Sequence, residues 1–225
     1  MSWIAWCSVF CSSPFPTMTT FRPILLGLAL ASQSASGATL FTATLTNAQE
    51  NPPVVPTLSN GAPRPASFGE ALFVLNDAMT SLTFSATIFN IDVTGQQTAD
   101  TNDNLTNAHI HAGLNAPPAN NGVVWGFFGA PFNNNAPADG VVTPFASGVG
   151  GTFTGTWDAT EGNGTTLAAQ LTNIFEGRAY INFHTVQFGG GEIRGQLRVP
   201  DGGSTALLFL STFAAMLGFV RRRHS

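Results

Sequence analysis

The chain has 225 residues and a formal net charge of −4, and all eight of its basic residues are arginines. Residues 39–200 carry four arginines against eleven acidic residues, which excludes nucleic acid as a partner because nucleic acid is bound through cations that neutralise its phosphates. Both cysteines, Cys7 and Cys11, lie near the start, so a disulfide scaffold, a thiolate zinc site and a cysteine nucleophile are excluded for the rest of the chain.

Residues 1–38 have the layout of a secretory signal peptide. After Met18 a single arginine, Arg22, precedes a short apolar run at residues 24–31, and small residues follow up to Ala38. A charged start, an apolar middle and a small-residue cleavage site in that order are typical of an export signal, so we predict cleavage near Ala38. Residues 1–17 contain no positive charge, which favours Met18 as the true start over a long signal that begins at Met1.

The residues that follow are predicted to form short strands separated by turns. Runs rich in threonine, aliphatic and aromatic residues alternate with clusters of glycine, proline, asparagine and aspartate, which is the pattern of strands and turns. The predicted strands are residues 39–46, 67–76, 81–91, 107–113, 123–129 and 152–158, followed by a hairpin at 178–197. Residues 133–151 are rich in asparagine, glycine and proline and are predicted to be a loop.

Only one helix is predicted, over residues 165–177. Leu167, Leu171 and Ile174 fall near helical spacing, and Gly177 suits a C-cap. Many short strands with turn residues between them and a single helix indicate an all-β, antiparallel β-sandwich. We therefore expect residues 39–198 to form one domain.

Three of the predicted strands carry titratable side chains in step on one face. Residues two apart in a strand share a face, so His109 and His111 lie together, opposite Ile110. By the same rule His184 lies opposite Phe183, and Glu192 and Arg194 lie opposite Ile193. If the strands are neighbours, a candidate polar or metal cluster forms from His109, His111, His184, Glu192 and Arg194.

This predicted cluster has three interpretations. In the first, Glu192 and Arg194 are cross-strand partners that stabilise the sheet and the histidines hydrogen-bond to loop carbonyls. In the second, the His-x-His pair and His184 supply three nitrogens to zinc or copper, although Arg194 would repel a cation. The third, a hydrolytic site, has the least support because no nucleophile–base pair is evident. We adopt the first and keep the metal site as the alternative.

Residues 199–225 read as a sorting signal. The motif Val199, Pro200, Asp201, Gly202, Gly203 and Ser204 precedes an uncharged stretch at 206–220, predicted as a transmembrane helix, and the membrane-stop cluster Arg221, Arg222 and Arg223. This tail resembles the PEP-CTERM class of bacterial sorting signals, in the variant with a VPDSG motif. The resemblance implies a transient membrane anchor that is removed by an exosortase-type protease, in a bacterium that makes exopolysaccharide.

The domain itself resembles the CHRD family, named from the animal protein chordin. The similarity is carried by "FTATLTNAQENPPV", by "AHIHAG", by "AYINFHT" with "GGGEIRGQL", and by the step from Leu171 to Gly177. It runs from about Leu40 to Leu197. It implies an immunoglobulin-like β-sandwich, and it implies no reaction because no shared catalysis is established for these domains.

Together these features predict an exported, surface-directed module that is not an enzyme and needs no cofactor. It would act as a binding or extracellular-matrix component at the cell envelope, or outside the cell after C-terminal processing, with exopolysaccharide or surface proteins as partners. The alternative is an extracellular protein that binds a single zinc or copper ion through the histidine cluster.

Overall fold

The computed structural model describes residues 37–200. Three predicted features therefore lie outside the described residues: the signal peptide apart from its last two residues, the transmembrane helix, and most of the sorting motif. No helix among residues 37–200 is long and apolar enough to cross a membrane.

The described residues form nine strands, a 3₁₀ turn and one α-helix. The elements are β1 (Thr39–Thr46), the 3₁₀ turn (Asn47–Gln49), β2 (Phe68–Leu75), β3 (Ser81–Phe89), β4 (Leu105–His111), β5 (Val123–Phe128), β6 (Val141–Pro144), β7 (Gly150–Asp158), α1 (Leu167–Phe175), β8 (Tyr180–Thr185) and β9 (Ile193–Gln196). All the strands belong to one sheet, in the order β5-β4-β8-β9-β1-β2-β3-β7-β6. Every pair of neighbouring strands is antiparallel.

The antiparallel all-β class with one short helix, expected from the sequence, is confirmed. The expected immunoglobulin-like β-sandwich has two separate sheets, whereas here the nine strands form one continuous sheet that curls into a half-barrel. The curl is visible in the aromatic core. Trp125 of β5 lies near one end of the strand order and Trp157 of β7 near the other, yet their rings stack with centroids 5.9 Å apart.

The inner face of the curled sheet holds the hydrophobic core because the strands alternate apolar and polar residues. In β2 every second residue is buried, and Phe73 and Phe84 of the paired strands β2 and β3 stack inside. Phe153 of β7 and Phe183 of β8 meet edge to face with centroids 5.1 Å apart. The aromatic rings of distant strands thus close the core, in keeping with the large apolar surface that such side chains bury.

The helix and strand predictions agree with the structure in all but one segment. Helix α1 begins after Thr166, whose hydroxyl accepts a hydrogen bond from the Ala169 amide, and Gly177 follows it with a positive φ of 68°. Strand β6 falls within residues 133–151, which the sequence predicted as a loop, so that prediction was wrong at Val141–Pro144 and at the first two residues of β7, Gly150 and Gly151. This short edge strand pairs with β7, and proline and glycine around it obscured the strand pattern.

Candidate metal centre

Strands β4 and β8 are neighbours, and their register brings the three histidines together. His109 of β4 is opposite Asn182 of β8, and Asn107 is opposite His184. Ile110 and Phe183 point into the core and are fully buried, so the alternating histidines lie on the outer face of the sheet.

This part of the outer face is covered by loops. His109, His111 and His184 are only 4%, 8% and 5% exposed, although they lie on the polar face of their strands, opposite the aromatic core. The loops contribute the carbonyl oxygens of Ala130, Asn121 and Gly189, each of which contacts one of the imidazoles. The histidines thus form a small polar core on the side of the sheet opposite the aromatic core.

The three imidazoles converge on one point. One ring nitrogen from each histidine lies within 4.8 Å of the corresponding nitrogens of the other two. Nδ1 of His109 and Nε2 of His184 are 3.2 Å apart. Nitrogens bound to a common zinc ion at about 2.0–2.1 Å would be separated by a similar distance.

Backbone carbonyls determine which nitrogen of each histidine carries the hydrogen. Nε2 of His109 lies 3.1 Å from the Ala130 carbonyl oxygen, Nδ1 of His111 lies 3.0 Å from that of Asn121, and Nδ1 of His184 lies 3.0 Å from that of Gly189. A carbonyl oxygen only accepts hydrogen bonds, so each of these nitrogens must be the N–H donor.

The other nitrogen of each neutral ring then carries a lone pair. These are Nδ1 of His109, Nε2 of His111 and Nε2 of His184. Nε2 of His111 is buried and has no hydrogen-bond partner among the described residues. Three lone pairs face one another with no donor between them, while the N–H groups bond outward to carbonyls. This is the arrangement in which metal-bound histidines are commonly held.

Burial also keeps the histidines uncharged. It lowers the pKa of His109 to about 4, with a further contribution from His184, and lowers that of His111 to about 3 against an opposing hydrogen bond to Asn121. The pKa of His184 is lowered for the same reason. All three imidazoles are therefore neutral at pH 7, the state in which histidine binds a metal ion.

Tyr180 connects the histidines to Arg194. The ring of His111 stacks on that of Tyr180 with centroids 4.8 Å apart and an interplanar angle of 4°. The Arg194 guanidinium carbon lies 4.8 Å from the centroid of the Tyr180 ring, a cation–π distance. Arg194 also donates hydrogen bonds to the carbonyl oxygens of Gln49 and Pro118 and to the side chain of Asn120, so it fastens the covering loops to the sheet.

Glu192 belongs to a separate buried network. Its carboxylate pairs with the Arg64 guanidinium at 2.5 Å and accepts hydrogen bonds from the Ser67 and Thr185 hydroxyls. The sequence predicted that Glu192 and Arg194 are partners of each other or of a neighbouring polar row. The structure gives Glu192 and Arg194 different partners, and Arg194 alone lies against the polar row of the neighbouring strand, at Tyr180 of β8. Of the five candidates, only the three histidines form the convergent set.

Several residues that take part in this region were not predicted from the sequence. Arg64 and Ser67 are separated from Glu192 by more than 100 residues in a proline-rich segment, and nothing local marks them as its partners. Tyr180 shares a face with His184 by the same two-residue alternation, but this alone did not link it to His111. Their pairing in register across β4 and β8 was the signal that could have linked them.

The predicted sorting motif is described only at its start. Val199 is half exposed and Pro200 follows it without regular secondary structure. Asp201, Gly202, Gly203 and Ser204 lie outside the described residues, as do Arg221, Arg222 and Arg223.

A known protein family matches almost the whole folded region. The CHRD domain family matches residues 41–197, which is more than half of the chain and all nine strands apart from the first two residues of β1. The chain belongs to the CHRD domain family. Neither the curated proteins nor the solved structures contain a match to this CHRD chain. The three histidines all lie within the matched CHRD region.

Proposed function

We propose that this protein is an exported CHRD module that binds one zinc or copper ion through His109, His111 and His184. The role is binding, without a reaction. The observation that carries the proposal is the pair of ring nitrogens of His109 and His184, which lie 3.2 Å apart although both of their other nitrogens are committed as donors to backbone carbonyls.

Two lone pairs at this separation repel each other unless something positive lies between them. A proton shared by His109 and His184 would relieve the contact, but burial lowers the pKa of both imidazoles, and His184 lowers that of His109 further, so a charged imidazole is disfavoured here. A metal ion relieves this repulsion without changing either tautomer. The unpartnered Nε2 of His111 would then be a third ligand of the ion. The tautomers are already those that a bound ion requires, so binding needs only a small inward movement of the rings, from nitrogen separations of up to 4.8 Å to the about 3.4 Å of two donors on one tetrahedral zinc ion.

Titration of the purified full chain with zinc and with copper tests this function. The wild type, without a polyhistidine tag, should bind one ion per chain and show a rise in melting temperature. His184→Gln should lose both effects because glutamine lacks the imidazole nitrogen. His224→Gln, the same substitution at the one histidine outside residues 37–200, is the matched control and should behave as the wild type does. No heat and no thermal shift in the wild type would show that the cluster is purely structural.

We also propose that the domain is directed to the cell surface. The support is the sequence alone: an export signal before residue 39, the VPDSG-like motif at Val199–Ser204 and the arginines that follow the apolar stretch. In this proposal the C-terminal helix anchors the protein in the membrane until an exosortase-type protease removes it. The partners of the released domain would be exopolysaccharide or surface proteins.

Mass spectrometry of the protein from its native host tests the sorting proposal. The mature chain should begin near Thr39 and lack residues 206–225. Recovery of an intact C-terminal peptide as the main surface form would rule out the processing.

A further inference from the structure

The three-histidine site offers a metal ion neutral ligands only. Within residues 37–200 no cysteine, aspartate or glutamate joins the three histidines as a ligand, and the three imidazoles are themselves uncharged. We propose that this site is selective for monovalent copper, Cu(I), over Zn²⁺ and Cu²⁺, an inference that rests on the proposed metal-binding function.

Burial penalises a divalent ion more than a monovalent one. The cost of moving an ion from water into a medium of low dielectric constant grows with the square of its charge, so a divalent ion costs about four times as much as a monovalent ion of the same size. Sites that hold Zn²⁺ in a protein interior offset this cost with anionic ligands or a bound hydroxide. Here the three ligands are buried and bring no negative charge.

The surrounding charges do not compensate for the neutral ligands. Arg194 lies over Tyr180, which stacks on His111, and this guanidinium has no carboxylate within salt-bridge distance in the described part of the chain. Glu192 is neutralised by Arg64. Glu50 is buried and its pKa is raised to about 7, so it is only partly ionised at neutral pH. The surroundings are therefore neutral to positive.

The number and type of the donors point the same way. Zinc in proteins takes four ligands, and Cu²⁺ favours a tetragonal arrangement of nitrogen and oxygen donors. Cu(I) has a filled d shell and is satisfied by three nitrogens in a trigonal arrangement. The three imidazole nitrogens, which lie within 4.8 Å of one another, supply the last of these without a further protein ligand once the rings move inward to the about 3.5 Å separation of three donors at about 2.0 Å in a plane.

Competition titrations on the full chain test the selectivity. Cu(I) would be offered without oxygen, with ascorbate and against bicinchoninic acid, and Zn²⁺ against a chromophoric chelator. Cu²⁺ would be offered against nitrilotriacetate without reductant. We expect one Cu(I) per chain, held at least about tenfold more tightly than either divalent ion, since the larger ionic charge is the disfavoured one. A smaller or reversed preference overturns the selectivity but leaves metal binding intact, whereas failure of all three ions to bind removes the proposed function as well.

Arg194 supplies a second test that depends on charge alone. Arg194→Gln should strengthen the binding of Zn²⁺ and of Cu(I). The gain in the logarithm of the affinity should be about twice as large for Zn²⁺ as for Cu(I), because the Coulomb energy scales with ionic charge. Arg194→Lys retains the charge but loses hydrogen bonds to the loops, and it should keep the wild-type ratio. Arg198→Gln removes an exposed arginine of the same segment and serves as the control. An equal change of the ratio in Arg194→Gln and Arg194→Lys would show that Arg194 acts through the loops, which contradicts the electrostatic argument.

Discussion

At the scale of single residues, the buried pair of Arg64 and Glu192 stabilises the loop that precedes β2. Both side chains are almost fully buried, and Ser67 and Thr185 complete the hydrogen bonds of the carboxylate. Breaking such a pair from one side leaves an uncompensated charge in the protein interior.

Glu192→Gln should therefore lower the free energy of unfolding by about 3–5 kcal/mol. Glu70→Gln is the matched control, since Glu70 is exposed on β2, and it should change the free energy of unfolding by less than about 0.5 kcal/mol. Urea denaturation of both variants measures the difference. Equal stabilities of the two variants would mean that the buried Arg64 guanidinium does not need the Glu192 carboxylate to compensate its charge.

The histidines make the metal-free protein sensitive to acid. Their pKa values are lower in the folded state than the ordinary value of 6.5, so below pH 6.5 the unfolded chain binds protons that the folded state refuses. The stability that the buried, neutral histidines contribute is present above pH 6.5 and is lost as the pH falls from 6.5 towards 4. Glu50, with a pKa raised to about 7, has the opposite sign, because its burial destabilises the fold as the pH rises from 4.5 to 7.

We expect the free energy of unfolding, measured by denaturant in the presence of a chelator, to decrease by more than about 1 kcal/mol between pH 7 and pH 5, because three histidines outweigh one carboxyl. His109→Gln should make this dependence shallower. A stability that is flat or increases towards acid would show that the histidines are charged or solvated in the folded protein.

At the scale of the elements, the close approach of the loop after β5 to the histidines depends on Gly126. A Cβ atom at this position would lie 1.8 Å from the Pro131 carbonyl oxygen and 3.0 Å from the ring of His109. The neighbouring Ala130 carbonyl is the one that fixes the His109 tautomer. The glycine thus allows the loop to close over the three histidines.

Gly126→Ala should displace this loop, lower the melting temperature and weaken metal binding. Gly190→Ala is the control, because a Cβ atom there would meet nothing within 4 Å. Calorimetric titration and a thermal melt of each variant make the comparison. Unchanged metal affinity in Gly126→Ala would show that the carbonyl of Ala130 is not needed to hold His109.

The elements also show what could be predicted from the sequence. Strands β1, β2 and β3 were found because each alternates apolar and polar residues over eight or nine positions, and the faces of His109, His111 and His184 follow from the same alternation. Strand β6 has only four residues and offered too little pattern. The burial of the polar face was missed although the covering loops directly follow β4, β5 and β8, because alternation alone does not distinguish a solvated face from one beneath a loop.

At the scale of the whole molecule, the fold is stabilised by its core without covalent cross-links. Residues 39–200 contain no cysteine, and aromatic contacts such as that between Trp125 and Trp157 join strands that are far apart in the sheet. A core that closes only when the sheet curls should form cooperatively.

Residues 39–200, expressed alone in reducing buffer, should therefore give a β-type circular dichroism spectrum and a single thermal transition. The transition should be independent of added dithiothreitol. A featureless spectrum, or two separate transitions, would contradict the single curled sheet as a cooperative unit.

The central claim is that three histidine nitrogens of this CHRD domain bind one metal ion, and X-ray absorption spectroscopy of the metal-loaded full chain tests it most directly. We predict one tightly held ion per chain with a first shell of three nitrogen neighbours at about 2.0 Å and the outer-shell scattering of imidazole rings. The His109→Gln chain should retain no such ion. A first shell made mainly of oxygen atoms, or a wild-type chain that retains no metal after gel filtration, would contradict the claim.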